Sequence, residues 1–329
     1  MTVVQQVLFE LEAQYFGHPY AVSGNALFNA IARRMDSGDA RALHVSHGVF
    51  VPGEYGEFPA GTSHEGYAGK LGQSLPEVES CDDLFILRDS AYRWLLDSRP
   101  RDAHNAHPLQ THGDRVVFDS TCWFGRPPGQ RNRRRSVSWY VHCYLHADSE
   151  DVLPLSEEVL DELRVGGGRN YGFGALSVAD TQLVDLDALD YSRVTEAAEL
   201  GEAFWVELVS PYVLESEFPG ADSQSVPWWW DVDMEAPGTG SSTETMGGLR
   251  RRETRFVDGA DSHALVTVDH GQVVGYAGSD PVGTAKNGVL RIGTHSRFGF
   301  GEFRVRPASD DRVPERSPVE GDGVVEGDA

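Results

Sequence analysis

Two glycine-rich segments of the chain carry residue types that could bind an anion. Residues 165–174 read VGGGRNYGFG, and residues 292–301 read IGTHSRFGFG. Glycine leaves room for another backbone to come close, and an arginine between glycines indicates a negatively charged ligand. Because the pattern occurs twice, it predicts one module used twice. Repeated use in turn indicates a polymer of anions as the ligand.

RNA is the polymer that these segments favour. We expect backbone N–H groups to face phosphates, with an aromatic residue packing or stacking beside them. The alternative is a pair of tight hairpins between core strands, whose arginines would affect stability alone. The candidate contact residues are Gly166, Gly167, Gly168, Arg169, Tyr171, Gly172, Gly174, Gly293, His295, Arg297, Phe298, Gly299 and Gly301.

A dense basic run precedes a strongly alternating segment that begins at residue 136. Such a run in an acidic protein favours a phosphate-binding role, because it lies directly before a predicted strand. The alternative is a solvated loop whose arginines pair with nearby acids. The candidate residues of this run are Arg126, Arg131, Arg133, Arg134 and Arg135.

His44 is the one candidate catalytic residue. A histidine could act as general acid or base in metal-free RNA cleavage, where the 2′-hydroxyl attacks the adjacent phosphate. The alternative is a partly buried polar residue at a junction between a helix and a strand. His44 and His47 are poorly spaced for a metal, so neither a metal site nor a cofactor is predicted.

The composition indicates a very salty habitat. The net charge is −23, and Lys70 and Lys286 are the only lysines among 28 basic residues. Acidity of this kind reports the environment, so the placement of arginines matters more than their sum. No apolar run approaches the roughly 20 residues of a membrane helix, and no secretory signal is recognisable. Three widely spaced cysteines fit a reducing cytoplasm.

Hydrophobic periodicity outlines the elements that would position these residues. A first strand is predicted at residues 3–11, followed by a helix at 25–35 with Ser23 or Asn25 as its cap. Residues 156–164 are predicted as a second helix leading into the first glycine segment. The other predicted strands are 116–118, 136–145, 204–214 and 264–275. Residues 308–329 are acidic and predicted to be a disordered tail.

The glycine segments resemble the signature of the RAMP superfamily of CRISPR-associated proteins, in a haloarchaeal form. Residues 24–31 and 40–44 are also similar to the opening of the branch that cuts CRISPR repeat RNA. The resemblance implies an α+β fold of tandem ferredoxin-like (RRM-like) domains, each with a glycine-rich loop before its last strand. It implies domains at residues 1–180 and 181–307, although residues 181–290 match no pattern of the family.

The same resemblance implies a function. In the repeat-cutting branch, a catalytic histidine follows the first helix, and His44 falls at the matching place. The chain departs from that branch, because Phe28 replaces a tyrosine and no lysine lies between Met1 and Gly69. One loop is also internal, which is more similar to crRNA-binding subunits of antiviral effector complexes. The leading expectation is therefore a crRNA-binding subunit with other CRISPR-associated proteins as partners. The alternatives are a metal-independent endoribonuclease and a protein-binding module.

Overall fold

The computed structural model describes residues 2–18, 21–53, 74–81, 83–88, 116–118, 121–124, 135–234, 248–259 and 261–310. Strands outnumber helices throughout these residues. The first part of the chain contains β1 (Val3–Leu11), β2 (Tyr15–Gly17), β3 (Ala21–Val22), α1 (Gly24–Ala32), α2 (Ser37–Ala42), β4 (Leu43–Val45), β5 (Gly48–Pro52), β6 (Val116–Phe118), β7 (Thr121–Phe124), β8 (Arg135–Ala147), α3 (Glu157–Leu160), β9 (Leu163–Arg164) and β10 (Ala175–Asp185).

The second part continues the same mixture of elements. It contains α4 (Ser192–Glu199), β11 (Phe204–Leu208), β12 (Tyr212–Ser216), β13 (Trp230–Asp231), β14 (Arg251–Asp258), β15 (Asp261–Val268), β16 (Val273–Tyr276), α5 (Pro281–Lys286) and β17 (Phe303–Pro307). Short 3-10 turns lie at Asp83–Phe85, Arg169–Tyr171 and Ser296–Phe298.

The two main sheets have the same arrangement. In the first, the strands run β3-β5-β8-β1-β10-β9, and β4 and β7 also pair with β8. In the second, they run β13-β16-β11-β17. In the first sheet, the first strand β1 lies between β8 and the last long strand β10. In the second sheet, β11 lies in the same way between β16 and the last strand β17. All four of these strand pairs are antiparallel. The chain is thus a mixed fold dominated by antiparallel strands, in agreement with the predicted α+β class.

Helix α1 covers one face of the first sheet. The side chain of Ser23 accepts a hydrogen bond from the Ala26 amide at 3.2 Å, so Ser23 is the cap. Leu27 and Ile31 are fully buried in one cluster with Val7 and other sheet residues. The predicted helix is confirmed, although it ends at Ala32 rather than at residue 35.

Three predicted elements are corrected. The helix predicted at 156–164 is one turn, because Glu162 has a positive φ of 51° and Leu163 then pairs with Leu176 in the sheet. The strand predicted at 204–214 is two strands, β11 and β12, which belong to different sheets and are separated by residues 209–211. The strand predicted at 264–275 is likewise β15 and β16, separated by a turn at Gly271 with φ of 69°.

A third apolar cluster joins the two parts of the chain. It contains Tyr144 of β8, Leu84 of the segment before it, and Val289 of the C-terminal part. Residues 308–310 also pack on the fold, since the Ala308 amide donates to the Ala203 carbonyl at 2.8 Å. The remainder of the predicted tail, residues 311–329, lies outside the described residues. None of the described helices is long and apolar enough to span a membrane.

Candidate functional site

The two glycine segments share their closing hydrogen bonds and the turn at their tip, but their backbones differ at one position, where Gly168 has φ of 68° and His295 has φ of −111°. We call residues 165–174 the first loop and residues 292–301 the second loop. Each loop is closed by a bond from its first amide to its last carbonyl, Val165 to Gly174 at 2.9 Å and Ile292 to Gly301 at 3.0 Å. The last amide of each loop donates to a carbonyl just past the first strand of its sheet. The Gly174 amide donates to the Gln14 carbonyl at 2.7 Å, and the Gly301 amide donates to the Pro211 carbonyl at 2.8 Å.

Two pairs of glycines are required by this backbone. Gly172 and Gly299 have φ of 92° and 95°, a region that side chains disfavour. A Cβ atom at Gly174 would lie 1.9 Å from the Val165 carbonyl oxygen, and one at Gly301 would lie 1.9 Å from that of Ile292. The last glycine is therefore needed to close each loop, whether or not a ligand binds.

The repeat extends beyond the glycines to a tyrosine. A Cβ atom at Gly166 would lie 2.7 Å from the ring of Tyr15, and one at Gly293 would lie 3.0 Å from the ring of Tyr212. Both tyrosines follow the first strand of their sheet by the same number of residues. The sequence did not reveal this pair, because Tyr212 lies inside the strand predicted at 204–214 and its place after β11 is seen only in the structure.

The tip of the first loop is exposed. Arg169, Asn170 and Gly172 are exposed, and the Tyr171 side chain retains 87% of its accessible surface. The structure thus presents a cation, an amide and an aromatic ring together on one turn. Of these three side chains, the sequence had indicated Arg169 and Tyr171.

The tip of the second loop is docked on the first part of the chain. Arg297 donates to the carbonyl of Leu43 at 3.1 Å and to that of Ala40, and its guanidinium lies 4.8 Å from the Phe28 ring. Phe298 contacts Phe28 edge to face, with ring centroids 5.1 Å apart. These contacts give Arg297 and Phe298 a structural role that the sequence did not reveal.

The start of helix α1 packs closely against the second loop. A Cβ atom at Gly24 would lie 2.4 Å from the Phe298 carbonyl oxygen. Beside it, Asn25 donates its side-chain amide to the Val257 carbonyl of β14. The sequence pattern at residues 24–31 therefore includes residues that join the two parts of the chain.

Both ring nitrogens of His295 lie within hydrogen-bond distance of hydroxyl groups of the protein. The side chain lies between Thr294 Oγ1, 2.9 Å from Nδ1, and Ser216 Oγ, 3.2 Å from Nε2. It is almost fully buried, and burial lowers its pKa. Both of its ring nitrogens have partners within the protein, so neither is available to an external ligand.

His44 lies at the edge of the junction between the two parts. Its Nε2 is 3.1 Å from Asp148 Oδ2, and its ring stacks on that of His146 at 4.3 Å. Burial lowers the pKa of His44, and this effect is larger than the opposing effect of the Asp148 carboxylate, which raises it. Nε2 faces the carboxylate, whereas Nδ1 is buried without a partner among the described residues. The imidazole is therefore neutral near pH 7, and the nitrogen free to accept a proton faces the interior.

Two further histidines accept hydrogen bonds at the junction. His146 Nδ1 lies 2.7 Å from Arg291 Nη2, and His47 Nδ1 accepts from the Gly24 amide at 3.2 Å. A nitrogen that accepts such a bond carries no proton, so both rings are neutral. Burial lowers the pKa of His146 to about 2 and that of His47 to about 3.

A buried ion pair crosses the same junction. Arg88 Nε lies 3.1 Å from Glu302 Oε1, and Glu302 is fully buried. Burial raises the pKa of Glu302, while the nearby Arg88 and Arg291 oppose that rise. Such a pair contributes little net stability, but removal of one partner leaves a buried charge uncompensated. The ion pair therefore favours one relative arrangement of the two parts.

The basic run is only partly within the structure. Arg126, Arg131, Arg133 and Arg134 lie outside the described residues, and their role stays a prediction. Arg135 begins β8, where its backbone pairs with that of Phe124. Among the described residues, no three His, Cys, Asp or Glu side chains are grouped to hold a metal ion.

No protein-family model matches the chain, and no curated protein is significantly similar to it.

The neutral histidines predict a stability that falls in mild acid. The unfolded chain takes up protons near the ordinary histidine pKa of 6.5, whereas the folded protein does so only at much lower pH. The free energy of unfolding should be flat above pH 7 and should fall below 6.5, by about 1.4 kcal/mol per pH unit for each such histidine. Denaturant titrations between pH 7.5 and about 5, before carboxylates contribute, would measure this slope.

His146→Gln provides the control for this prediction. Glutamine retains an acceptor for Arg291 but does not titrate. The slope of the free energy of unfolding against pH should therefore decrease by the contribution of one histidine, about 1.4 kcal/mol per pH unit. An unchanged slope in the variant, or a flat wild-type profile, would contradict the assignment of neutral buried histidines.

Alanine substitutions should separate the closing glycines from the others. Gly301→Ala should lower the free energy of unfolding by about 3 kcal/mol, because the new Cβ meets a main-chain oxygen. Gly172→Ala should cost about 1 kcal/mol, since φ is unfavourable but the space is open. Gly38→Ala, in α2 with open space around it, is the control and should cause no loss. Equal effects at all three positions would be inconsistent with this structure of the loops.

Proposed function

We propose that the protein is a CRISPR-associated RAMP protein that binds crRNA as a cytoplasmic subunit of a multi-subunit antiviral effector complex. One observation carries the proposal: a glycine loop closed by the same backbone bonds precedes the last long strand of each main sheet. The repeat is visible in the sequence, and the resemblance rests on it. The matching hydrogen bonds and glycine φ angles support it, as do the two tyrosines, which were not part of the sequence pattern.

The strand order supports tandem ferredoxin-like domains. Such a domain places its last strand beside the first, and its third strand on the other side of the first. The orders β10-β1-β8-β5 and β17-β11-β16-β13 both fit this description. The second part departs from the simple pattern: the described residues between β11 and β13 form β12 rather than a helix, and a hairpin of β14 and β15 precedes β16.

We assign the RNA contact to the first loop. The amides of Gly168, Arg169 and Asn170 donate to no acceptor in the part of the chain that the structure describes. Three successive amides beside an exposed arginine form a suitable environment for a phosphate. Tyr171 adds an exposed ring on which a base can stack.

The sheet face opposite α1 is not available for this contact. His142 and Tyr144 lie on that face of β8, and both are fully buried. Tyr144 donates its hydroxyl to the Leu84 carbonyl beneath the segment that covers the sheet. RNA would therefore meet loops and edges of this protein rather than an open sheet. The basic run at residues 126–135 remains a further candidate for phosphate contact.

The second loop has a different role in this proposal. Arg297, Phe298 and Gly299 contact α1, β4 and His47, and these contacts hold the two parts of the chain together. We therefore assign the joining of the two domains to the second loop. Its glycines allow the close approach to protein, as the first loop's glycines allow the approach to RNA.

A metal-independent CRISPR repeat endoribonuclease is the second candidate. The stack of His44 on His146 beside Asp148 favours it, because paired imidazoles can share acid and base roles. Burial of Nδ1 argues against His44 as a base toward an external substrate. The binding subunit therefore remains the leading proposal.

Arg169→Ala should weaken RNA binding without unfolding the protein. We expect about a fivefold loss of affinity for labelled CRISPR repeat RNA, and a salt dependence reduced by about one counterion. Arg33→Ala, an exposed arginine at the end of α1, is the matched control and should bind as wild type. Fluorescence anisotropy in molar potassium chloride would measure both. Absence of RNA affinity in the full-length protein, alone and with its partners, would overturn the proposal.

RNA cleavage separates the two candidates. Purified protein incubated with labelled repeat RNA in EDTA should bind the RNA and leave it intact on a denaturing gel. A discrete cut with a cyclic phosphate end, abolished in His44→Ala while binding persists, would instead identify a repeat-processing nuclease. A cut that survives His44→Ala would point to a contaminating nuclease.

A further inference from the structure

The second loop provides an internal template for what the tip of such a loop can bind. The Tyr171 amide donates to Gly168 at 2.8 Å, and the Phe298 amide donates to His295 at 2.9 Å. The following amides bond in the same way, at 3.1 and 3.2 Å. Side chains at equivalent positions therefore leave the two turns in the same direction. The equivalent pairs are Arg169 and Ser296, Asn170 and Arg297, Tyr171 and Phe298, and Gly172 and Gly299.

The docked tip binds a flat ring and hydrogen-bonding groups at once. Arg297 donates to two carbonyl oxygens while its guanidinium carbon lies over the Phe28 ring. Phe298, the next residue, contacts the same ring from its edge. The two tip positions thus act on one partner that combines an aromatic surface with polar atoms nearby.

The exposed tip retains this arrangement with different chemistry. Asn170 replaces Arg297, and an amide both donates and accepts, as the edges of nucleobases require. Tyr171 replaces Phe298 and tolerates water through its hydroxyl. Arg169 replaces a serine, which adds a positive charge beside the ring. A ligand that joins a planar ring with polar edges to a nearby anion is a nucleotide.

We propose that the tip of the first loop binds one unpaired nucleotide: its base packs against Tyr171, its base edge pairs with the Asn170 amide, and its phosphate lies at Arg169. This inference rests on the proposed RNA function and adds a base-reading residue, Asn170. It predicts that the site distinguishes bases, whereas a glycine loop that bound phosphates alone would not.

The test compares RNA with a backbone that lacks bases. Full-length protein is titrated with short labelled homopolymers of A, C and U, and with an abasic oligomer of equal length, in molar potassium chloride. Wild type should bind its preferred homopolymer about tenfold more tightly than the abasic oligomer. Tyr171→Ala should bind RNA about tenfold more weakly than wild type and should bind the abasic oligomer with unchanged affinity. Tyr171→Phe should keep the wild-type affinity for both. Asn170→Ala should bring the three homopolymers closer in affinity.

Trp228→Ala is the matched control, because Trp228 is also an exposed aromatic residue, at 79%, but lies outside both loops. It should leave all affinities unchanged, and an equal loss there would overturn the proposed site. Equal wild-type affinity for RNA and the abasic oligomer would overturn the base contact while leaving the RNA function intact. Loss of every RNA interaction would overturn the function itself. If Tyr171→Ala left RNA binding unchanged but released a protein partner, the tip would be a protein-docking surface instead.

Discussion

The closure of each glycine loop, by a hydrogen bond from its first amide to its last carbonyl, is the constraint on which the structure depends. At Gly301, no side chain fits between the loop's last residue and the Ile292 oxygen. With the loop closed, its last amide bonds to Pro211 and its tip projects onto the first part of the chain. The same closure at Gly174 leaves the tip of the first loop in solvent. One backbone design therefore gives a joint in one place and a free surface in the other.

The joint between the two parts has a polar interior. Arg88, Arg291 and Glu302 are buried together, and the histidines around them are held neutral by the bonds that they accept. Burying such charges costs free energy, so they add little net stability. They instead favour the one arrangement in which each charge has its partner. Sliding one part over the other would leave these groups without partners. The two parts of the chain thus have one preferred relative arrangement.

Local patterns in the sequence predicted local structure well. The first strand, the capped helix and the glycine loops follow from period, cap residue and composition, because each depends on residues near in sequence. The helix predicted after Ser156 failed because Leu163 gains a partner strand, which no local pattern records. The docking of Arg297 was equally invisible, since its acceptors are carbonyls of Ala40 and Leu43 that any residue carries. Sequence therefore revealed the loops but not which of them is free.

The contacts of Arg297 join residues 254 and 257 positions apart in the chain. During synthesis the N-terminal strand and helix leave the ribosome long before the second loop does. Until then, the start of α1 and the Phe28 ring lack the surface that finally covers them. While the 254 residues from Leu43 to Arg297 are synthesised, this apolar surface stays open to other proteins. We therefore expect the folding of this protein to be slower, and more dependent on protection of that surface, than the folding of a chain with local contacts.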